Sequence, residues 1–216
     1  TIEPLDGMKF ETDPCTVEKI GYKKGKVKEP LLVCGKDKAL KCGEEFKVFN
    51  YGFYRKTEKE IKIGYLYPRN SYDLMKAVVN GIYTFAKLGK YHGEKDLYTM
   101  AGLLDLDVKA MVREEYELGD ITDYKRAANK LQKIEGIDLV IALVPDGMEE
   151  DGPYNPFKTI WAKANIPSQM ISMKTAKLFA EEAKEGNKAK NNSRYYLHNI
   201  ILGILGKTGG IPWVVK

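Results

Sequence analysis

Tyr154, Lys158 and Gln169 are the residues through which this sequence comes nearest to showing chemistry. Tyr154 and Lys158 stand four apart in "YNPFKTIWAKA", a stretch that reads as a helix, so both address the same face near its start. A tyrosine ring can stack on a nucleobase for about 1–3 kcal/mol, and a lysine offers a phosphate a charge-assisted hydrogen bond worth about 1.5–3 kcal/mol. Gln169 follows eleven residues after the lysine, at the start of the next strand, and adds an amide donor. Taken alone, the trio also fits a solvated helix face.

A second group lies near the C-terminus. Asn192, Tyr196, Asn199, Gly203 and Lys207 follow steps of four, three, four and four, which draws a stripe of polar or small groups along one helix. Leu197, Ile201, Ile204 and Leu205 populate its other side. A glycine within an apolar helix costs about 1 kcal/mol relative to alanine, so Gly203 marks close approach of another group. That group is either a ligand bordered by Gly203 and Lys207 or a neighbouring helix, and the spacing leaves both readings open.

The elements that must position these residues alternate. "IKIGYLYP" (61–68) reads as a buried strand, followed by a helix capped at Ser71. A strand lies within 104–116, and Thr122 or Asp123 can cap a helix that stops at Gly136. "IDLVIALVP" (137–145) is a continuous apolar run of the kind a parallel sheet buries on both faces. After the acidic loop come a helix from Tyr154 to Ala164, the strand "SQMIS", a helix over 174–185, a polar insert and a last helix "YYLHNIILGILGK". This order predicts an α/β fold, a Rossmann-like open, mainly parallel sheet flanked by helices. Residues 1–56, rich in Gly, Lys and β-prone stretches such as "EEFKVFNYGFY", form an N-terminal β-rich linker segment. The main domain then spans 57–210, and 211–216 begins a further strand. In such sheets ligands sit at the carboxyl ends of the strands, which places the loop 145–153 at the expected site.

Composition narrows the classes. With 44% hydrophobic and 30% charged residues over 216 positions, the chain has a globular profile. It lacks a run of about 18 apolar residues, which excludes a membrane span. Residues 151–216 hold ten Lys or Arg against four Asp or Glu, so the net charge of +5 sits in the last third. That favours phosphate-bearing partners, although a solvated Lys-rich surface is the commoner cause of such a bias. Cys15, Cys34 and Cys42 match no paired zinc spacing and read as free, mostly packed thiols in a reducing, cytoplasmic setting. His92 and His198 offer no ligand pair.

With these residues in view, the chain resembles the MID domain of prokaryotic-type Argonaute proteins over 61–216. "NIILGILGKTGGIPWVV" is similar to the junction between the MID and PIWI regions, and "YNPFK" with "IPSQMISMK" resembles the Tyr-x3-Lys and later Gln of that domain. "FKVFNYGFYRK" resembles the end of the preceding L2-type linker. The resemblance implies that Tyr154, Lys158, Gln169 and Lys207 bind the 5′-phosphate of a short guide DNA or RNA. It further implies a first-nucleotide pocket of Tyr154, Met170, Tyr196, Asn199 and Gly203, and a base-contacting loop that includes Asp146, Gly147, Met148 and Glu149. PIWI and PAZ/N regions of the same parent chain are the implied partners. Cleavage would belong to acidic residues of PIWI, so this segment is expected not to be an enzyme.

Two departures stand out. Gln169 and Lys207 are 38 residues apart, longer than the family pattern, with the Lys-rich insert 184–194 as the excess. Many relatives also carry a longer polar side chain at the position of Gly203, for which either a divalent cation (magnesium or manganese) bridging the phosphate or a residue from another part of the parent chain would substitute. Two other functions fit the same pattern: a doubly wound domain binding a small phosphorylated metabolite or nucleotide, and a protein-interaction domain with a basic surface. The absence of a Gly-rich phosphate loop and of a nucleophile–base pair counts against the first.

Overall fold

The computed structural model describes residues 29–56, 61–88, 106–147, 154–185 and 192–216. Two sheets account for the strands among them. The larger comprises β3 (Ile61–Pro68), β4 (Leu106–Tyr116), β5 (Leu139–Val144) and β6 (Ser168–Ser172), all parallel, in the spatial order β4-β3-β5-β6. The chain steps outward from β3 to β4, then crosses to the other side for β5 and β6. The order therefore reverses between β3 and β5, and β6 is left as an open edge.

Period-two alternation divides the core into two layers. Ile61, Ile63, Tyr65 and Tyr67 of β3 face one side with Leu139, Ile141 and Leu143 of β5. There they meet α2 (Tyr72–Leu88), α5 (Met173–Glu185) and α6 (Asn192–Lys207). Leu66, Val140, Ala142 and Val144 face the other side, against α3 (Ile121–Gln132) and α4 (Tyr154–Lys163). A strand covered on both faces reads as a continuous apolar run, which is why "LVIALV" is buried at every position. The buried polar groups on the α3–α4 side are paired: Trp161 Nε1 donates to Tyr124 Oη at 2.7 Å, and Tyr116 Oη donates to the Leu143 carbonyl at 2.8 Å.

Several details differ from the sequence reading. The cap of α3 is Asp120, whose carboxylate accepts from the N–H groups of Thr122 (2.8 Å) and Asp123 (3.1 Å). Asp123 instead accepts from the Glu117 N–H and pairs with Arg126 at 2.6 Å. The helix closes at Gln132 rather than running to Gly136, which has φ +78° in the following turn. "EEFKVFNYGFY" is not a strand but a 3-10 turn (Glu45–Lys47) leading into a short helix, α1 (Val48–Tyr51), stopped by Gly52 at φ +93°. Its Phe46, Phe49 and Phe53 are spaced three and four, and packing decides the outcome: the rings of Phe46 and Phe49 stack on His198 of α6 at 4.9 and 4.5 Å. His198 is thus buried packing, as its lack of a ligand partner suggested. Cys34 is buried, whereas Cys42 is exposed and not packed; Cys15 and His92 lie outside the described residues.

The smaller sheet joins the two ends of the described chain. β1 (Leu31–Val33) pairs antiparallel with both β2 (Ala39–Lys41) and β7 (Val214–Val215). The strand begun at 211–216 therefore pairs with the N-terminal segment. Among the described residues, no helix is long and apolar enough to cross a membrane.

A candidate anion site at the open edge of the sheet

The open edge of β6 is approached from both faces. On one face, Phe157 and Trp161 of α4 are 2% and 0% exposed against the sheet, and this anchoring turns Lys158 toward the edge. Its Nζ donates to the Ser168 carbonyl at 2.5 Å and to Ser168 Oγ at 3.2 Å. On the other face, α6 ends at Lys207. The sequence "GKTGG" enforces that stop: Gly209 adopts φ +88°, and the Gly210 N–H bonds the Leu205 carbonyl at 2.9 Å. A Cβ on Gly210 would lie 2.3 Å from Leu205 Cδ1, so the position excludes a side chain. Lys207 Nζ then donates to Gln169 Oε1 across the edge.

Alternation along β6 sorts the contacts. Ser168 meets α4, and Gln169 meets α6. Gly203 supplies the space for this: a Cβ there would lie 2.8 Å from Gln169 Oε1 and 3.7 Å from Lys207 Nζ. Both lysines open onto one solvent-facing cleft of about 440 Å³, lined also by Asn165, Ile166, Pro167 and Ser168. Among the described residues no carboxylate lines it. Burial first, and then the neighbouring Lys158 charge, together push the Lys207 amine down to about 8. Burial also lowers Lys158. Two half-buried amines that have no counter-ion among the described residues make a place where an anion is stabilised, because it would offset both the desolvation and the mutual repulsion.

A second cavity, of about 250 Å³, adjoins it at the carboxyl ends of β5 and β6. Gln169, which accepts from Lys207 of the cleft, lines this cavity with Met170, Tyr196 and Asn199. Ser172 and Thr175 also face it. Their hydroxyls lie 3.0 Å apart, and Ser172 Oγ accepts the Thr175 N–H at the start of α5. This cavity, and not the lysine cleft, lies at the carboxyl ends of the strands. The lysine cleft runs along the sheet edge, because Lys158 sits in the second turn of its helix and Lys207 at the far end of another.

The structure brings together Lys158, Gln169, Gly203 and Lys207 at the cleft, and Met170, Tyr196, Asn199 and Gln169 at the cavity. Tyr154 is the first residue of α4, one turn before Lys158, and its side chain lies outside what is described. Asp146 accepts from the Lys174 N–H at 2.6 Å, which ties the loop to the start of α5; Gly147 has φ +76°. Met148 and Glu149 lie outside the described residues. Sequence reasoning missed Ser168, Asn165, Ser172 and Thr175. The serines were legible as alternate positions of "SQMIS", and Asn165, at φ +54° after α4, as an asparagine ending a helix.

No family profile and no curated protein matches the chain. Solved structures do. Over 93% of its length the chain is 40% identical to Clostridium butyricum Argonaute, in a structure bound to a guide DNA (5′ deoxycytidine) and a 19-mer target DNA, with a TM-score of 0.71. The chain is an Argonaute-type segment. Its assignment to the MID region is consistent with the match. The segment spans 26% of the length of that Argonaute. The Argonaute protein of Methanocaldococcus jannaschii shares the fold over 87% of the segment at 16% identity and a TM-score of 0.56, and the segment again covers 26% of it.

Proposed function

We propose that this Argonaute segment is a MID domain that holds the 5′-phosphorylated end of a short guide strand. Lys158 and Lys207 approach the terminal phosphate from opposite faces of the sheet, Gln169 donates from between them, and Ser168 positions Lys158. Tyr154 stacks on the first base, which occupies the adjoining cavity beside Met170, Tyr196 and Asn199, and the loop residues Asp146, Gly147, Met148 and Glu149 select that base. The carrying observation is the shared cleft: two amines from remote parts of the sequence face one space that no carboxylate lines among the described residues. That the 40%-identical Argonaute is bound to a guide DNA favours DNA as the guide here.

Among the described residues the cleft's polar lining is two amines, an amide and a hydroxyl, which offers a magnesium or manganese ion no carboxylate, so in this reading such an ion would be held through the guide's 5′-phosphate. PIWI and PAZ/N regions of the parent chain would supply the rest of the guide channel and any cleavage; the segment itself anchors.

The test is a titration of short strands that differ only in a 5′-phosphate or 5′-hydroxyl. Each charge-assisted hydrogen bond is worth about 1.5 kcal/mol or more, so the phosphate should strengthen binding about 100-fold through two lysines. Lys158→Ala with Lys207→Ala should abolish that preference. Equal affinity of the parent protein for both strands would refute the assignment, and a free nucleotide bound as tightly as the strand would favour a metabolite site.

A further inference from the structure

Lys158 and Lys207 differ from Lys125 and Lys163, which stand exposed on α3 and α4. Both are half-buried, both open onto the same cleft, and among the described residues neither ends in an ion pair. Lys207 Nζ spends one N–H on Gln169 Oε1. In the neutral amine that bond leaves the lone pair available to the cleft. An amine is nucleophilic only when unprotonated, and desolvation beside a second cation is a recognised way of producing that form near neutral pH. Here burial and the Lys158 charge bring Lys207 to about 8, so about one molecule in ten carries it neutral at pH 7.

We propose that Lys207 is an acylation site for small acyl phosphates, with the reagent's phosphoryl group held against Lys158 while its acyl carbon meets the Lys207 amine. This rests on the anion-binding reading of the cleft. In the reaction the Nζ–C bond forms and the C–O bond to the phosphoryl group breaks. Inorganic phosphate leaves with the electron pair, and the amine gives one proton to water. The product is a neutral amide. It removes one of the two charges and fills part of the cleft, so acylation and binding of a 5′-phosphate exclude each other. Gln169 keeps a partner, because the amide retains one N–H for its Oε1.

The experiment treats the whole chain with acetyl phosphate at pH 7.5 and follows occupancy at each lysine by peptide mass spectrometry. Lys207 should react about tenfold faster than Lys125 and Lys163, part of the gain in neutral fraction being offset by lower basicity. Inorganic phosphate should suppress the preference, as should Lys158→Ala. The acetylated protein should lose its preference for a 5′-phosphorylated strand. Reaction at Lys207 no faster than at the exposed lysines would overturn the proposal, as would a preference indifferent to both phosphate and Lys158→Ala. The two readings fail separately. If the strands are distinguished by their 5′ ends while Lys207 is not preferentially acetylated, only the acylation site falls. If Lys207 is acetylated first while the strands bind equally, the guide-end assignment falls and a small-anion site stands.

Discussion

Gly203→Ala perturbs the candidate site by one methyl group and separates its energetics from those of the helix. The new carbon would stand 2.8 Å from Gln169 Oε1, while ordinary contact begins near 3.4 Å, so the amide must retreat by about 0.6 Å. The methyl also arrives 3.7 Å from Lys207 Nζ, and its bulk stands between the two partners of the bond across the edge. Two terms oppose each other in stability. Alanine in place of an interior helical glycine stabilises by about 1 kcal/mol, and a weakened charge-assisted hydrogen bond costs about as much. Unfolding in urea should therefore shift by less than about 1 kcal/mol. Binding has no such compensation: with Gln169 displaced, one donor to the phosphate is lost, and the preference for a 5′-phosphorylated over a 5′-hydroxyl strand should fall about tenfold. Fluorescence titration of the two strands against parent and variant reads the ratio directly. A variant that melts like the parent and keeps its preference within about twofold would refute the claim that Gly203 and Gln169 shape the anion site.

The pH dependence of binding follows from Lys207. A bound phosphate raises the amine from about 8, so binding takes up a proton above that pH, and affinity falls as pH rises through 8. Below about 6 the terminal phosphate itself gains a proton, so affinity should peak between about 6 and 8. Calorimetry in buffers of differing ionisation enthalpy would show the uptake; flat affinity from pH 7 to 9 would contradict it. Without ligand the sign reverses: the depressed amine carries a penalty below 8 that disappears as pH rises toward 10.5, so this group's contribution to stability grows over that window. Tyr124→Phe should cost about 1–3 kcal/mol in urea unfolding, because it leaves the fully buried Trp161 N–H without the acceptor it has at 2.7 Å.

Much of the fold was legible in the sequence because its signals are local. The run "LVIALV" announces a strand buried on both faces, "SQMIS" a short strand, and "GKTGG" the end of α6. Where the reading failed, a longer-range force decided. Phe46 and Phe49 look β-prone as types, yet they fold as a turn and helix because their rings clasp His198, about 150 positions away. The cap of α3 fell to Asp120 because a cap must be extended, and its φ of −89° and ψ of 102° meet that need. At the site, residue types and helical spacing selected Lys158, Gln169, Gly203 and Lys207. Their meeting along the edge of β6 depends on strand order, which periodicity does not encode. The position of Ser168 in "SQMIS" was in view, but its role was not, because its hydroxyl matters only where Lys158 reaches over the edge to it.

The convergence of Lys158 and Lys207 on one terminal phosphate is tested most directly by a crystal structure of the chain with a 5′-phosphorylated oligonucleotide. Both amines should lie within about 3 Å of oxygens of the same 5′-phosphate, with Gln169 contacting that group and the first base in the adjoining cavity. A phosphate held by one lysine alone, or bound away from the edge of β6, would contradict it.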